Sequence, residues 1–148
     1  MVLLWLLACA AAVDSDDPCE PGAPPTLEIG TGTFSFSPLG EEIELEDGPQ
    51  GGYHLILSFR ATFLDDTAPS VGHLVGAVDG LPLADAVHYL NFRCQPEDGA
   101  EEAWGSLLSY DADPQDLVNR ETTISVEITD ARGTVATATT VVTIVDRR

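Results

Sequence analysis

The chain contains no lysine, and its basic residues are six arginines against 25 acidic residues, so its formal net charge is −19. A polyanion such as DNA or RNA is repelled by a surface of this charge, and no cluster of basic residues offsets the repulsion. The composition therefore excludes nucleic acid as a partner. The excess of carboxylates favours solubility and cationic partners, but it does not identify a ligand.

The sequence also lacks the motifs of common catalytic sites. It has no Gly-x-Ser-x-Gly, His-Glu-x-x-His or Cys-x-x-Cys, and the glycine-rich residues 48–52 are not followed by a lysine and a helix. His54 and His88 fall within predicted strands and His73 directly precedes one, so all three continue an ordinary alternation of side chains. We therefore predict that the protein is not an enzyme.

The first eight residues form an uncharged apolar run that ends in a small residue. The run is too short to span a bilayer as a helix, which needs about 20 apolar residues, and it is typical of an export signal. Residues 1–8 are therefore predicted to be a signal segment that places the rest of the chain outside the cytoplasm.

The motif Leu6-Leu7-Ala8-Cys9 resembles a bacterial lipobox, which precedes a cysteine that becomes diacylated. The resemblance implies that Cys9 is lipidated and anchors the protein to a membrane of the cell envelope. Ala10 in the second mature position implies sorting to the outer membrane. The alternative is an ordinary cleaved signal at Ala8-Cys9-Ala10 or Ala10-Ala11-Ala12, which would release a secreted or periplasmic protein.

Residues 9–25 are acidic and rich in proline, which predicts a disordered tether between the anchor and the domain. If Cys9 is lipidated or removed, Cys19 and Cys94 remain as an even pair, and such pairs are usually bonded outside the cytoplasm. We predict this disulfide, and the chain-entropy model assigns it a stabilisation of roughly 4 kcal/mol. The alternative is that Cys94 is a lone buried thiol.

From residue 26 onward, apolar and polar residues alternate with the period of a β-strand. The clearest strand is 53–63, and residues 122–129 and 135–145 predict a hairpin around Asp130-Ala131-Arg132-Gly133. Shorter segments complete the pattern, and residues 113–119 predict one helical turn, with Asp113 as its cap and Pro114 at its first position. The fold prediction is all-β, with residues 26–148 as a single immunoglobulin-like β-sandwich of about seven to nine strands. The shorter predicted strands are 27–29, 33–36, 42–46, 74–78 and 87–92.

The segment Ile128-Thr129-Asp130-Ala131-Arg132-Gly133, followed by residues 134–146, resembles the last two strands of bacterial immunoglobulin-like, PKD-like and cadherin-like modules. The order of lipobox, acidic tether, Gly30-Thr31-Gly32 and Gly48-Pro49-Gln50-Gly51-Gly52-Tyr53-His54 resembles uncharacterised envelope lipoproteins of myxobacteria and their relatives. These resemblances imply an immunoglobulin-like domain, and they supply no activity.

Carboxylates near the final hairpin are candidates for calcium, because hard cations prefer several oxygen ligands. Asn119-Arg120-Glu121 resembles the Asp-Arg-Glu element of cadherin repeats, but the cadherin Asp-x-Asn-Asp-Asn linker is missing. We therefore expect no metal and no cofactor, and the alternative is a calcium site formed by Asp111, Asp113, Glu121 and Asp130. The sequence as a whole predicts a non-enzymatic envelope lipoprotein that binds an unknown protein or glycan or has a structural role. The alternative function is a secreted calcium-dependent adhesion module.

Overall fold

A computed structural model describes residues 18–22, 24–48 and 51–147 of the chain. The predicted signal segment, Cys9 and most of the predicted tether lie outside these residues. The described part forms two β-sheets and one short helix. The elements are β1 (Thr26–Thr31), β2 (Ser37–Pro38), β3 (Glu42–Glu44), β4 (Glu46–Asp47), β5 (Tyr53–Thr62), β6 (Ser70–Val78), β7 (Leu81–Leu90), β8 (Arg93–Gln95), β9 (Ala100–Tyr110), α1 (Pro114–Leu117), β10 (Glu121–Thr129) and β11 (Val135–Val145).

The two sheets form a sandwich with the strand order of an immunoglobulin-like domain. The first sheet has the order β2-β1-β5-β9-β8, with β4 also pairing with β5, and the second has the order β3-β11-β10-β6-β7. Neighbouring strands are antiparallel except β3, which runs parallel to β11. In immunoglobulin terms, β1, β5, β9 and β8 take the places of strands A, B, E and D, and β11, β10 and β6 those of G, F and C. The predicted all-β sandwich is confirmed.

The core lies between the sheets and follows from the period-two alternation. The inward row of β5, which is Leu55, Leu57, Phe59 and Ala61, is almost fully buried and packs in one cluster with apolar residues of the second sheet. The outward row of β5 is partly covered as well, because residues 32–36, between β1 and β2, reach over it. The guanidinium carbon of Arg60 in that row lies 6.0 Å from the ring centroid of Phe36.

The predicted helical turn and final hairpin are present, but several other elements differ from the sequence prediction. Residues 33–36 are not a strand, because Gly32 adopts a φ of 128° and turns the chain. The central strand β9 was not among the predicted strands. Its alternation is interrupted at Gly105, where φ is 73° and the pairing register with β5 shifts. Asp113 precedes the helix as predicted, but its side chain makes no capping hydrogen bond.

The sandwich has two ends that differ in their relation to the tether. We call the end that carries Cys94, residues 63–69 and the turn 130–134 the anchor end, after the predicted anchor at Cys9. The distal end carries the turn at Asp79 and Gly80 and residues 111–120. Among the described residues, no helix has both the length and the apolar character needed to cross a membrane.

Candidate functional site

The predicted disulfide is confirmed and joins the end of the tether to the anchor end. Cys19 and Cys94 are bonded with a Cα–Cα distance of 5.7 Å, and Cys19 is only 3% exposed. The N–H of Gly22 also donates a hydrogen bond of 3.4 Å to the carbonyl of Phe63. Residues 18–22 therefore lie against the sandwich instead of extending away from it.

Beside the disulfide, two buried aspartates connect the loop after β5 to the hairpin between β10 and β11. Asp130 Oδ1 accepts hydrogen bonds from the N–H groups of Arg132 at 2.9 Å and Thr134 at 2.7 Å. Its Oδ2 accepts the N–H of Asp65 at 2.9 Å. Hydrogen bonds from Thr67, together with the Arg132 guanidinium, hold the pKa of Asp65 below its usual value. Asp130 therefore has a structural role in the turn.

The structure does not bring the four candidate calcium ligands together. Glu121 begins β10 and Asp130 follows its last residue, so the length of a nine-residue strand, about 30 Å, separates them. Asp111 and Asp113 lie at the distal end, before α1. Within the described ranges, no group of three or more His, Cys, Asp and Glu side chains is arranged to hold a metal ion.

Asp111 and Asp113 instead line an open cleft at the distal end, with a volume of about 770 Å³. Asp79 and Asp116 add two further carboxylates to its wall. Arg120 neutralises one of them, because its Nε donates a hydrogen bond of 2.7 Å to Asp79 and a second guanidinium nitrogen contacts the same oxygen. Apolar side chains form the rest of the lining, which includes Val78, Leu81, Leu83, Tyr53 and Tyr110.

A second cleft, of about 450 Å³, opens where the end of β7 meets β8 and β9. We call it the Arg93 cleft. The guanidinium carbon of Arg93 lies 5.3 Å from the ring centroid of Trp104, a cation–π contact. His88 lies at one side of the cleft, where its Nε2 is 2.8 Å from the carbonyl oxygen of Leu107. The described residues that line the cleft are His88, Tyr89, Leu90, Asn91, Arg93, Ala103, Trp104, Gly105, Ser106 and Leu107.

Arg93 differs from the other arginines in this part of the chain. The structure describes five arginines, and the other four form ion pairs with carboxylates. No carboxylate among the described residues forms an ion pair with Arg93. Glu102 lies directly opposite Arg93 in the pairing of β8 with β9. Its carboxylate instead accepts the indole N–H of Trp104 at 3.0 Å and lies 3.7 Å from Arg60.

Sequence reasoning did not identify this cleft, and it assigned no role to Trp104 or Tyr110. Tyr110 is a core residue, since it is 5% exposed and burial raises the pKa of its hydroxyl above the usual value. Trp104 is half-buried at the surface. The sequence offered one signal for the cleft, namely that Arg93 directly precedes Cys94, whose disulfide holds β8 in place.

No protein-family model matches the chain, and no curated protein is significantly similar to it. The resemblance to myxobacterial envelope lipoproteins stays a prediction.

Proposed function

We propose that this protein is a bacterial envelope lipoprotein whose immunoglobulin-like sandwich is a non-enzymatic binding or structural module. A lipid on Cys9 would anchor it to a membrane of the cell envelope, and Ala10 in the second mature position favours the outer membrane. The observation that carries the proposal is the Cys19–Cys94 disulfide.

The disulfide supports export, because such bonds persist in oxidising compartments and are rare in the cytoplasm. It also accounts for two of the three cysteines of the chain. The third, Cys9, directly follows the apolar run and occupies the position at which a lipobox cysteine is modified. The cysteine content therefore agrees with one structural bond and one lipid site.

The disulfide also sets the reach and orientation of an anchored domain. Cys19 follows Cys9 by ten positions, so an extended tether spans at most about 35 Å. Without the bond, the free tether would run to the start of β1 at Thr26 and reach about 60 Å. Because Cys94 lies at the anchor end, the bond turns that end towards the membrane and leaves the distal acidic cleft facing away from it.

The proposal is tested by metabolic labelling with a radioactive fatty acid in a Gram-negative host. The wild-type chain should incorporate the label and partition with membranes, whereas Cys9→Ser should not be labelled. Cys19→Ser is the matched control, because it removes a cysteine and breaks the disulfide but leaves the lipid site. Equal labelling of wild type and Cys9→Ser, or no labelling of the wild type, would contradict the proposal.

A further inference from the structure

The lining of the Arg93 cleft differs in charge from most of the protein. In a chain with a net charge of −19, the described lining of this cleft contains Arg93 and His88 and no aspartate or glutamate. A cavity lined by one sign of charge concentrates ligands of the other sign. The lining therefore favours an anionic group even though the whole protein is acidic.

Arg93 can bind that group because its donors are not used by an ion pair among the described residues. The cation–π contact with Trp104 places the guanidinium beside the indole ring, and its N–H donors lie in the guanidinium plane. A planar guanidinium with free donors matches a carboxylate, which it can bind through two parallel hydrogen bonds. Glu102 does not occupy these donors, since it contacts Trp104 and Arg60.

The remaining lining favours a ring with hydroxyl groups. Trp104 and Tyr89, which is 80% exposed, add aromatic surface of the kind that packs against the C–H face of a sugar. Asn91 and Ser106 add polar groups that can hydrogen-bond hydroxyls. The volume of about 450 Å³ falls within the range of roughly 300–1,000 Å³ that is usual for small-ligand sites.

A peptide strand fits this place less well, because strand addition needs free backbone groups at a sheet edge. The carbonyl of Leu107 is already contacted by His88, and the N–H of Gly105 donates to the carbonyl of Gly32 at 3.1 Å. Recognition through side chains is therefore favoured over recognition through the backbone of β9.

We infer that the Arg93 cleft binds a carboxylate-bearing sugar, with Arg93 on the carboxylate and Trp104 beside the ring. This inference rests on the proposed function of the sandwich as a binding module. It assigns that module a ligand class, an acidic glycan, and a site next to β8.

The test uses the full chain with Trp5→Phe, so that Trp104 is the only tryptophan whether or not residues 1–8 are removed. Tetragalacturonate is titrated while the Trp104 fluorescence is followed, and its methyl ester, which lacks the negative charges, serves as the matched ligand. We expect a saturable change with the acid and at least about tenfold weaker binding of the ester. Arg93→Gln should weaken binding of the acid by about tenfold or more.

Arg147→Gln is the control variant, because it makes the same change of charge at an exposed arginine that pairs with Glu42 outside the cleft. It should leave the affinity within about twofold, and circular dichroism should show that both variants are folded. No saturable binding, equal binding of acid and ester, or an unchanged affinity in Arg93→Gln would overturn the inference. Equal binding of tetraglutamate would also overturn it, in favour of an acidic peptide. Fatty-acid labelling of Cys9 is unaffected by any of these outcomes, so the lipoprotein proposal is judged separately.

Discussion

Removal of the Cys19–Cys94 bond should destabilise the fold by an amount that lies between two calculable limits. The variant is Cys19→Ala with Cys94→Ala in a Cys9→Ser background, compared with the same background that keeps the bond. The bond spans a sequence separation of 75 residues. If residues 18–22 stay docked without the bond, only the unfolded chain gains freedom, and the loss is about 4 kcal/mol in the chain-entropy model.

The lower limit applies if the tether detaches once the bond is gone. Cys19 lies seven positions before Thr26, the first residue of β1, so in the folded variant only this short segment would become free. The entropy difference between closing a 75-residue loop and closing a segment of about seven residues corresponds to about 2 kcal/mol. The hydrogen bond from Gly22 to Phe63 and the burial of Cys19 favour a value above this limit.

Urea denaturation at pH 7, followed by circular dichroism, measures the difference in the free energy of unfolding. A thiol assay on the unfolded background protein should find no free thiol before reduction and two after it. A loss between about 2 and 4 kcal/mol is expected. A loss below about 1 kcal/mol, or two free thiols before reduction, would refute the reasoning that the bond constrains the unfolded chain.

Three further predictions concern the ends of the sandwich. In thermal melts, Gly99→Ala should destabilise the fold more than Gly51→Ala, by about 1–3 kcal/mol. Both glycines have positive φ, but only at Gly99 would a Cβ meet the carbonyl oxygen of Pro18, at 2.5 Å. Equal losses of stability in the two variants would contradict this prediction. The lowered pKa of Asp65 contributes stability that is complete above the unfolded-state value near 3.8 and is lost as the pH falls through the folded-state value. The stability advantage of wild type over Asp65→Asn should therefore shrink in acid, and a constant difference would count against it. Calcium should raise the melting temperature no more than sodium does at matched ionic strength, because the structure does not bring the four candidate calcium ligands together. A saturable, calcium-specific rise in the melting temperature would contradict this prediction.

The alternation of side chains was sufficient to predict the strands whose two rows have different burial. In β10, Ile124, Val126 and Ile128 are buried between more exposed polar neighbours, so the period of two residues can be recognised in the sequence. The disulfide could be predicted because only one pair of cysteines remains after Cys9 is set aside. The strand prediction depends on a local pattern of residues and the disulfide prediction on the number of cysteines, so neither requires knowledge of the tertiary structure.

The central strand β9 could not be predicted in this way. Glu101 is fully buried and Glu102 follows it, so two adjacent acids come directly after the first residue of the strand. At Gly105 the alternation shifts, and Ala103 and Ser106 are both buried. A bulge that inserts one residue breaks the period on which the prediction relies.

The arrangement of the candidate calcium ligands and of the Arg93 cleft could not be predicted from the sequence for a different reason. The four carboxylates proposed for calcium are near one another in the chain, but the length of β10 separates Glu121 from Asp130. The Arg93 cleft depends on the position of β7 beside β9, and on the ion pairs of the other described arginines. Such pairings are set by tertiary structure and are not visible in a residue pattern.

The central claim, that the protein is a lipoprotein with a disulfide-bonded tether, is tested most directly by mass spectrometry of protein extracted from the membranes of a Gram-negative host. The account predicts a mature chain that begins at Cys9 with a covalent lipid, together with a peptide in which Cys19 and Cys94 are bonded. A chain with unmodified Cys9, or one whose N-terminus lies after Cys9, would contradict it.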